Sequence, residues 1–301
     1  MLTVHNFSYG LLTPVLAYLM SFLGSFLGLR CTSRSRACTG PARARWLLVG
    51  GLSIGITGIW VMHFIAMLGF TIPGETIRYN VPITIASMLV AVAVVSVGLL
   101  IVGFGGNGYR PLLVGGLVTG LGVAAMHYSG MAAMRMPARM GYNPVLFALS
   151  VVIAIGAATA ALWAALRLRG VRSTLGAALI MGVAVSGMHY TGMAAMHVYP
   201  ADGAAMAMGG ATAEAFLLPL IIGVSMITYL LTATIAMSAT EDEMSAEAEL
   251  LRRIDGIRGQ ALSPTAIIAA GTAPRYRPAV SRTDAPPVTD LFRPRNTRAG
   301  T

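Results

Sequence analysis

Seven apolar stretches alternate with short polar connections along the chain, at residues 10–29, 46–70, 81–104, 111–134, 144–166, 174–196 and 215–237. A helix needs about 20 residues to cross a bilayer, and each stretch is long enough. None contains Asp or Glu. Inside hydrocarbon the backbone must satisfy its own hydrogen bonds, so continuous runs of this length predict helices and not barrel strands. The expected fold class is all-α: a polytopic bundle of seven transmembrane helices occupying residues 1–240. Beyond it, residues 241–259 mix Glu, Arg and scattered apolar positions, which predicts a juxtamembrane cytoplasmic helix. Residues 260–301 are Pro, Arg, Thr and Ala, too poor in apolar side chains to build a core, and are expected to be a disordered cytoplasmic tail. No catalytic or DNA-binding pattern fits into that tail.

Internal periodicity changes the picture. The second stretch holds Met62-His63-Phe64-Ile65-Ala66-Met67. The fourth holds Met126-His127-Tyr128-Ser129-Gly130-Met131, and the sixth Met188-His189-Tyr190-Thr191-Gly192-Met193. The histidines are 64 and 62 residues apart, and a proline follows each after 10, 10 and 11 residues, at Pro73, Pro137 and Pro200. The next helix opens after Tyr79-Asn80-Val81-Pro82 in the first copy and Tyr142-Asn143-Pro144 in the second; the third copy lacks this feature. The unit is a two-helix hairpin repeated three times, with one helix added in front. Each unit crosses the membrane twice, so all copies share one orientation about an axis along the membrane normal. This predicts a pseudo-threefold bundle with the three histidines in one layer.

The repeated residues suggest a chemistry. Met stands four residues after each His, which places imidazole and thioether on one helical face. The candidate metal ligands are therefore His63, Met67, His127, Met131, His189 and Met193. Met134 and Met196 extend the same face by another turn in two copies, where the first has Phe70. Met62, Met126 and Met188, on the opposite side of each His, read as packing residues. The residue three after each His is small (Ala66, Gly130, Gly192), which predicts close approach of neighbouring helices. Tyr128 and Tyr190 have the chemistry to hydrogen-bond near the site; Phe64 does not. Thioethers favour Cu(I), and imidazole suits copper, zinc, iron and nickel. The stretches offer no carboxylate for Mg, Ca or Mn and no Cys for iron–sulfur or Cys-type zinc sites. Copper, as Cu(I) or Cu(II), is the best match and haem iron the second.

Composition agrees with the membrane reading. Of 301 residues, 56% are hydrophobic and 11% charged, where soluble domains carry roughly 25% charged residues. All 21 basic residues are arginine, and against 11 acids they give a net charge of +10. Such a charge is often read as nucleic-acid binding. Here the arginines lie between apolar runs and in the tail, so topology explains them better and no nucleic-acid partner is expected. Arg30, Arg34, Arg36, Arg43, Arg45, Arg110, Arg167, Arg169 and Arg172 fall on one side, against Arg78, Arg135 and Arg139 on the other. Positively charged loops stay in the cytoplasm, so the N-terminus is expected outside and the C-terminus inside. Glycine pairs at four-residue spacing, Gly24 and Gly28, Gly51 and Gly55, Gly116 and Gly120, predict helix packing. Cys31 and Cys38 supply no disulfide framework, and His5 and His197 read as interfacial.

Three Met-His-Tyr-x-x-Met motifs on alternating membrane helices resemble the MHYT-domain family of bacterial integral membrane sensors. The likeness covers roughly residues 10–240. The second and third copies match the motif fully; the first departs at Phe64 and at Ala66. The resemblance implies a seven-helix, multi-pass sensor of the bacterial cell membrane that binds copper and responds through it to a diatomic gas such as oxygen, carbon monoxide or nitric oxide. It also implies a cytoplasmic signalling partner or output domain, whose identity the sequence leaves open, and no catalytic role for the membrane domain. Two other readings stay open: a copper transporter or permease, and a haem-binding membrane redox protein.

Overall fold

A computed structural model of the chain describes residues 2–106, 108–200, 209–237 and 249–256. It is an all-α polytopic bundle with a small β cover at one end. Helix α1 spans Leu12–Ser35. Helix α2 (Gly40–Leu52), a π-helical segment (Ser53–Val61) and α3 (Met62–Leu68) follow as one continuous rod. Then come α4 (Val81–Phe104), α5 (Tyr109–Ala132), α6 (Pro144–Arg167), α7 (Val171–Ala195) and α8 (Ala213–Met237). Six of these rods, from α1 through α7 with α2 and α3 as one, are long and apolar enough to cross a membrane among the described residues. Helix α8 is 25 residues long. The chain divides into two units, Met1–Ser245 and Ala246–Thr301. In the second, residues 249–256 are helical, and Arg253 pairs with Glu249 at 3.1 Å. The rest of the expected cytoplasmic helix and the expected disordered tail lie outside the described residues.

Local sequence explains where the helices start. Asn80 caps α4, its side-chain oxygen accepting from the Ile83 amide at 3.1 Å. Asn143 caps α6, accepting from Val145 and Leu146 at 2.9 and 3.2 Å. In both helices a proline follows in the first turn, where its missing N–H has no partner to lose. The arginines of the first connection are not all in a loop. Arg is a good helix former and no breaker intervenes before Gly40, so α1 continues through Arg30 and Arg34. Arg34 is buried, its guanidinium 5.3 Å from the Trp46 ring centre. Arg36 donates to the carbonyls of Ala165 (2.8 Å) and Leu168 (2.7 Å), clasping the end of α6.

The glycine pairs are packing positions. A Cβ at Gly24 would strike the backbone of Gly58. One at Gly51 would strike Ser96, and one at Gly120 the backbone of Ile155. The rods α1, α2–α3, α4, α5, α6 and α7 are neighbours in a closed circuit, α7 returning to α1. The buried core lies inside it.

The loops beyond α3, α5 and α7 form the cover. Strands β1 (Arg78–Tyr79), β2 (Met134–Arg135) and β5 (Ala211–Thr212) pair antiparallel in the order β2-β1-β5. Strand β3 (Ala138–Tyr142) pairs with β4 (Met196–Pro200). One bond recurs. The Asn80 amide donates to the Ala133 carbonyl (2.8 Å) and the Asn143 amide to the Ala195 carbonyl (2.7 Å). Each acceptor stands six residues after a motif histidine of the following hairpin. The equivalent carbonyl after His63 is that of Gly69, and it accepts from Ser8 at 3.0 Å. At Gly69 the N-terminal segment therefore supplies the bond that Asn80 and Asn143 supply at the other two motif helices, with a further bridge between His5 and Thr71.

Candidate metal centre

The three motif histidines meet. His63 on α3, His127 on α5 and His189 on α7 are each about 1% exposed. Their helices end at Leu68, Ala132 and Ala195, five or six residues further on, so the rings share one level. The ring centres are 4.9, 5.0 and 5.1 Å apart with interplanar angles of 80, 81 and 86°, a three-bladed propeller. The Nδ1 atoms face inward: His63 Nδ1 is 3.0 Å from His189 Nδ1 and 3.1 Å from His127 Nδ1. Among the described residues this is the one group of three ligand-type His, Cys, Asp or Glu side chains close enough to hold an ion.

The backs of the rings explain the small residues. A Cβ on Gly130 would strike His63 Nε2, and a Cβ on Gly192 would strike His127 Nε2. The expected close approach is thus ring against helix, not helix against helix. His63 and His127 each turn the Nε2 edge of the ring toward the glycine three residues after the next motif histidine. Ala66, the residue at this position in the first copy, packs against Val185 and Tyr190 of α7. All three Nε2 atoms are buried without a hydrogen-bond partner.

The residue after each His behaves alike in all three copies. Phe64, Tyr128 and Tyr190 pack nearly perpendicular to their own histidine at 4.8, 4.9 and 5.0 Å. The conserved contribution is ring packing, which Phe64 supplies as well as Tyr. The expectation of tyrosine hydrogen bonds to the site is corrected: Tyr128 Oη bonds Ser150 Oγ at 2.6 Å, and Tyr190 Oη is buried without a hydrogen-bond partner. Trp60, Phe64, Tyr79 and Phe216 form an aromatic cluster beside His63, and burial there pushes the Tyr79 phenol above its ordinary value.

Met67, Met131 and Met193 are buried one turn nearer the β cover than the histidines, on the same helices. Met62 packs against Ala17 and Ala66, while Met126 and Met188 belong to the main core. Met134 and Met196 have left the helices for β2 and β4, opposite Tyr79 and Tyr142. His197 pairs in β4, and Cys31 and Cys38 are free thiols. Sequence reasoning missed the apolar space just inside the triad. A cavity of about 50 Å³ lies among α4 to α7 and the π-helical segment. Ile59, Val123 and Val185, each four residues before a motif histidine, all line it.

A buried layer of three facing imidazoles in a multi-helix membrane bundle defines a class of intramembrane histidine centre. The family model described as "Bacterial signalling protein N terminal repeat", MHYT, matches residues 57–116 and 120–178. The chain thus carries two tandem matches to the MHYT repeat. It is 40% identical over 193 residues to the bifunctional diguanylate cyclase/cyclic di-GMP phosphodiesterase MucR of Pseudomonas aeruginosa, covering 62% of this chain and 28% of the relative. It is 42% identical over 199 residues to the cyclic di-GMP phosphodiesterase NbdA of the same organism, covering 64% and 25%. Signaling protein YkoW of Bacillus subtilis is 32% identical over 192 residues, covering 60% and 23%. The chain thus spans about a quarter of the length of these relatives. No solved structure matches it.

Proposed function

We propose that the chain is the membrane-embedded sensory unit of a signalling system, and that His63, His127 and His189 together hold one soft metal ion, copper as Cu(I). The observation that carries this reading is the triad itself: three buried imidazoles with Nδ1 atoms 3.0 and 3.1 Å apart. A neutral imidazole nitrogen offers one proton or one lone pair, so three rings pointing at each other cannot satisfy one another. A cation that collects three lone pairs resolves the conflict. For planar three-coordination at about 2 Å the nitrogens need to part by only about 0.4 Å. The ligand shell is neutral, and the desolvation cost of a buried ion rises with the square of its charge, which favours a monovalent ion. Met67, Met131 and Met193, one turn along the same helices, are the residues whose thioethers would add a fourth, soft ligand.

Three extensions complete the reading. The hairpins form a pseudo-threefold, seven-helix domain over residues 1–240, with the N-terminus outside and the centre in the outer leaflet. The signal is a diatomic gas, and the output, by analogy with the relatives, is cyclic di-GMP turnover; the membrane domain itself is not an enzyme. A permease is the weaker reading, because the space inward of the triad is apolar and offers an ion no onward ligand. A haem protein is weaker because rings about 5 Å apart leave no room for a porphyrin between them.

Elemental analysis of the detergent-purified protein tests the centre. Wild type is expected to carry about one copper per chain, with no Soret band, and the His63, His127, His189 triple alanine variant none. Equal trace copper in both overturns the assignment.

A further inference from the structure

The cavity beneath the triad has a size and a lining that select its occupant. Its volume is about 50 Å³. A cavity needs roughly 10–15 Å³ on this measure for one water, so there is room for a molecule of diatomic size. Water is a poor occupant on chemical grounds, since a buried water needs two to four polar partners. Thr119 is the one lining residue with a polar side chain, and its hydroxyl already donates to the Val94 carbonyl at 3.3 Å. The space exists because α6 lines it with five alanines, Ala154, Ala157, Ala158, Ala161 and Ala165, and a single larger residue, Leu162. Dry apolar cavities of this kind take up small apolar molecules.

The ceiling of the cavity is formed by Ile59, Val123 and Val185. Each lies four residues before a motif histidine, so a guest presses on the same three helices that carry the imidazoles. We propose that this cavity is a binding site for one small apolar molecule of diatomic size, drawn from the bilayer and held one helical turn inward of the triad. Its purpose rests on the sensor reading above; its occupancy does not depend on a metal. A guest there lies next to the centre without ligating it, and it changes the spacing of the helices that set the Nδ1 triangle.

Xenon is the probe. Met181 and Met188 line the cavity, so the full chain labelled with ¹³C at its methionine methyl groups is examined by NMR in nanodiscs under xenon and under argon, without added metal. The expected result is a saturable xenon-dependent shift of the Met181 and Met188 methyls that is lost in Ala158→Leu and reduced in the milder Ala158→Val. Met226, exposed on α8, is the control for xenon dissolved in lipid. Uniform, non-saturating shifts at Met181, Met188 and Met226 overturn the proposal, as does a shift that survives undiminished in both variants. Saturable xenon shifts, combined with equal trace copper in wild type and the triple alanine variant by elemental analysis, would leave the cavity standing and remove the metal reading.

Discussion

At the residue scale, the centre depends on two glycines as much as on three histidines. Gly130 and Gly192 give His63 and His127 the space to turn Nδ1 inward. Gly130→Ala or Gly192→Ala is expected to push a ring off its position, at a cost of about 1–3 kcal/mol, with a matching loss of bound copper. Gly156→Ala, which meets open space, is expected to leave both unchanged. Thermal unfolding and metal content of the three variants check this. The histidines were legible in the sequence because three copies in register leave little room for accident. The function of the glycines was only half legible: their smallness was visible, but what occupies the gap is a ring from another helix. Tyr128 and Tyr190 misled for a similar reason, since the phenol suggests hydrogen bonding while the structure uses the face of the ring.

At the element scale, the first motif helix differs from the other two. Its π-helical segment runs directly into His63, and mid-helix π geometry is rare and concentrates at functional sites. Nothing in a hydropathy pattern distinguishes it from α-helix, so it was not legible beforehand. The segment is anchored by Trp60, whose Nε1–H donates to Thr84 O at 3.2 Å and Ser87 Oγ at 3.1 Å. Trp60→Phe removes this donor from a buried position and is expected to cost about 1–3 kcal/mol. Hydrogen exchange should rise across residues 53–61 while the exposed-site control Trp163→Phe leaves it unchanged. The outer strands were also invisible in the sequence. Strands of two residues, such as β1 and β2, are too short to show any alternation. The apolar helices themselves were legible, α4 at its expected bounds and α5, α6 and α7 within three residues, while α1 and α2 each reach six residues further into the arginine-bearing connection.

At the scale of the whole molecule, each outer loop grips the helix of the next hairpin, and residues near the N-terminus complete the circle at Gly69. Replacing residues 4–8 with a Gly-Ser linker is expected to lower the melting temperature and speed chelator removal of bound copper several-fold, with copper stoichiometry retained. Stripping kinetics against wild type check it. The circular grip also decides how the molecule can move. Hairpins roped together at one rim behave like staves under a hoop: they cannot drift apart there, and at the opposite rim the Arg36 clasp on the end of α6 is the tie that a change in girth has to loosen. The expected response to a disturbance at the imidazoles is therefore a widening or narrowing at that rim, with no need for a helix to slide along its axis.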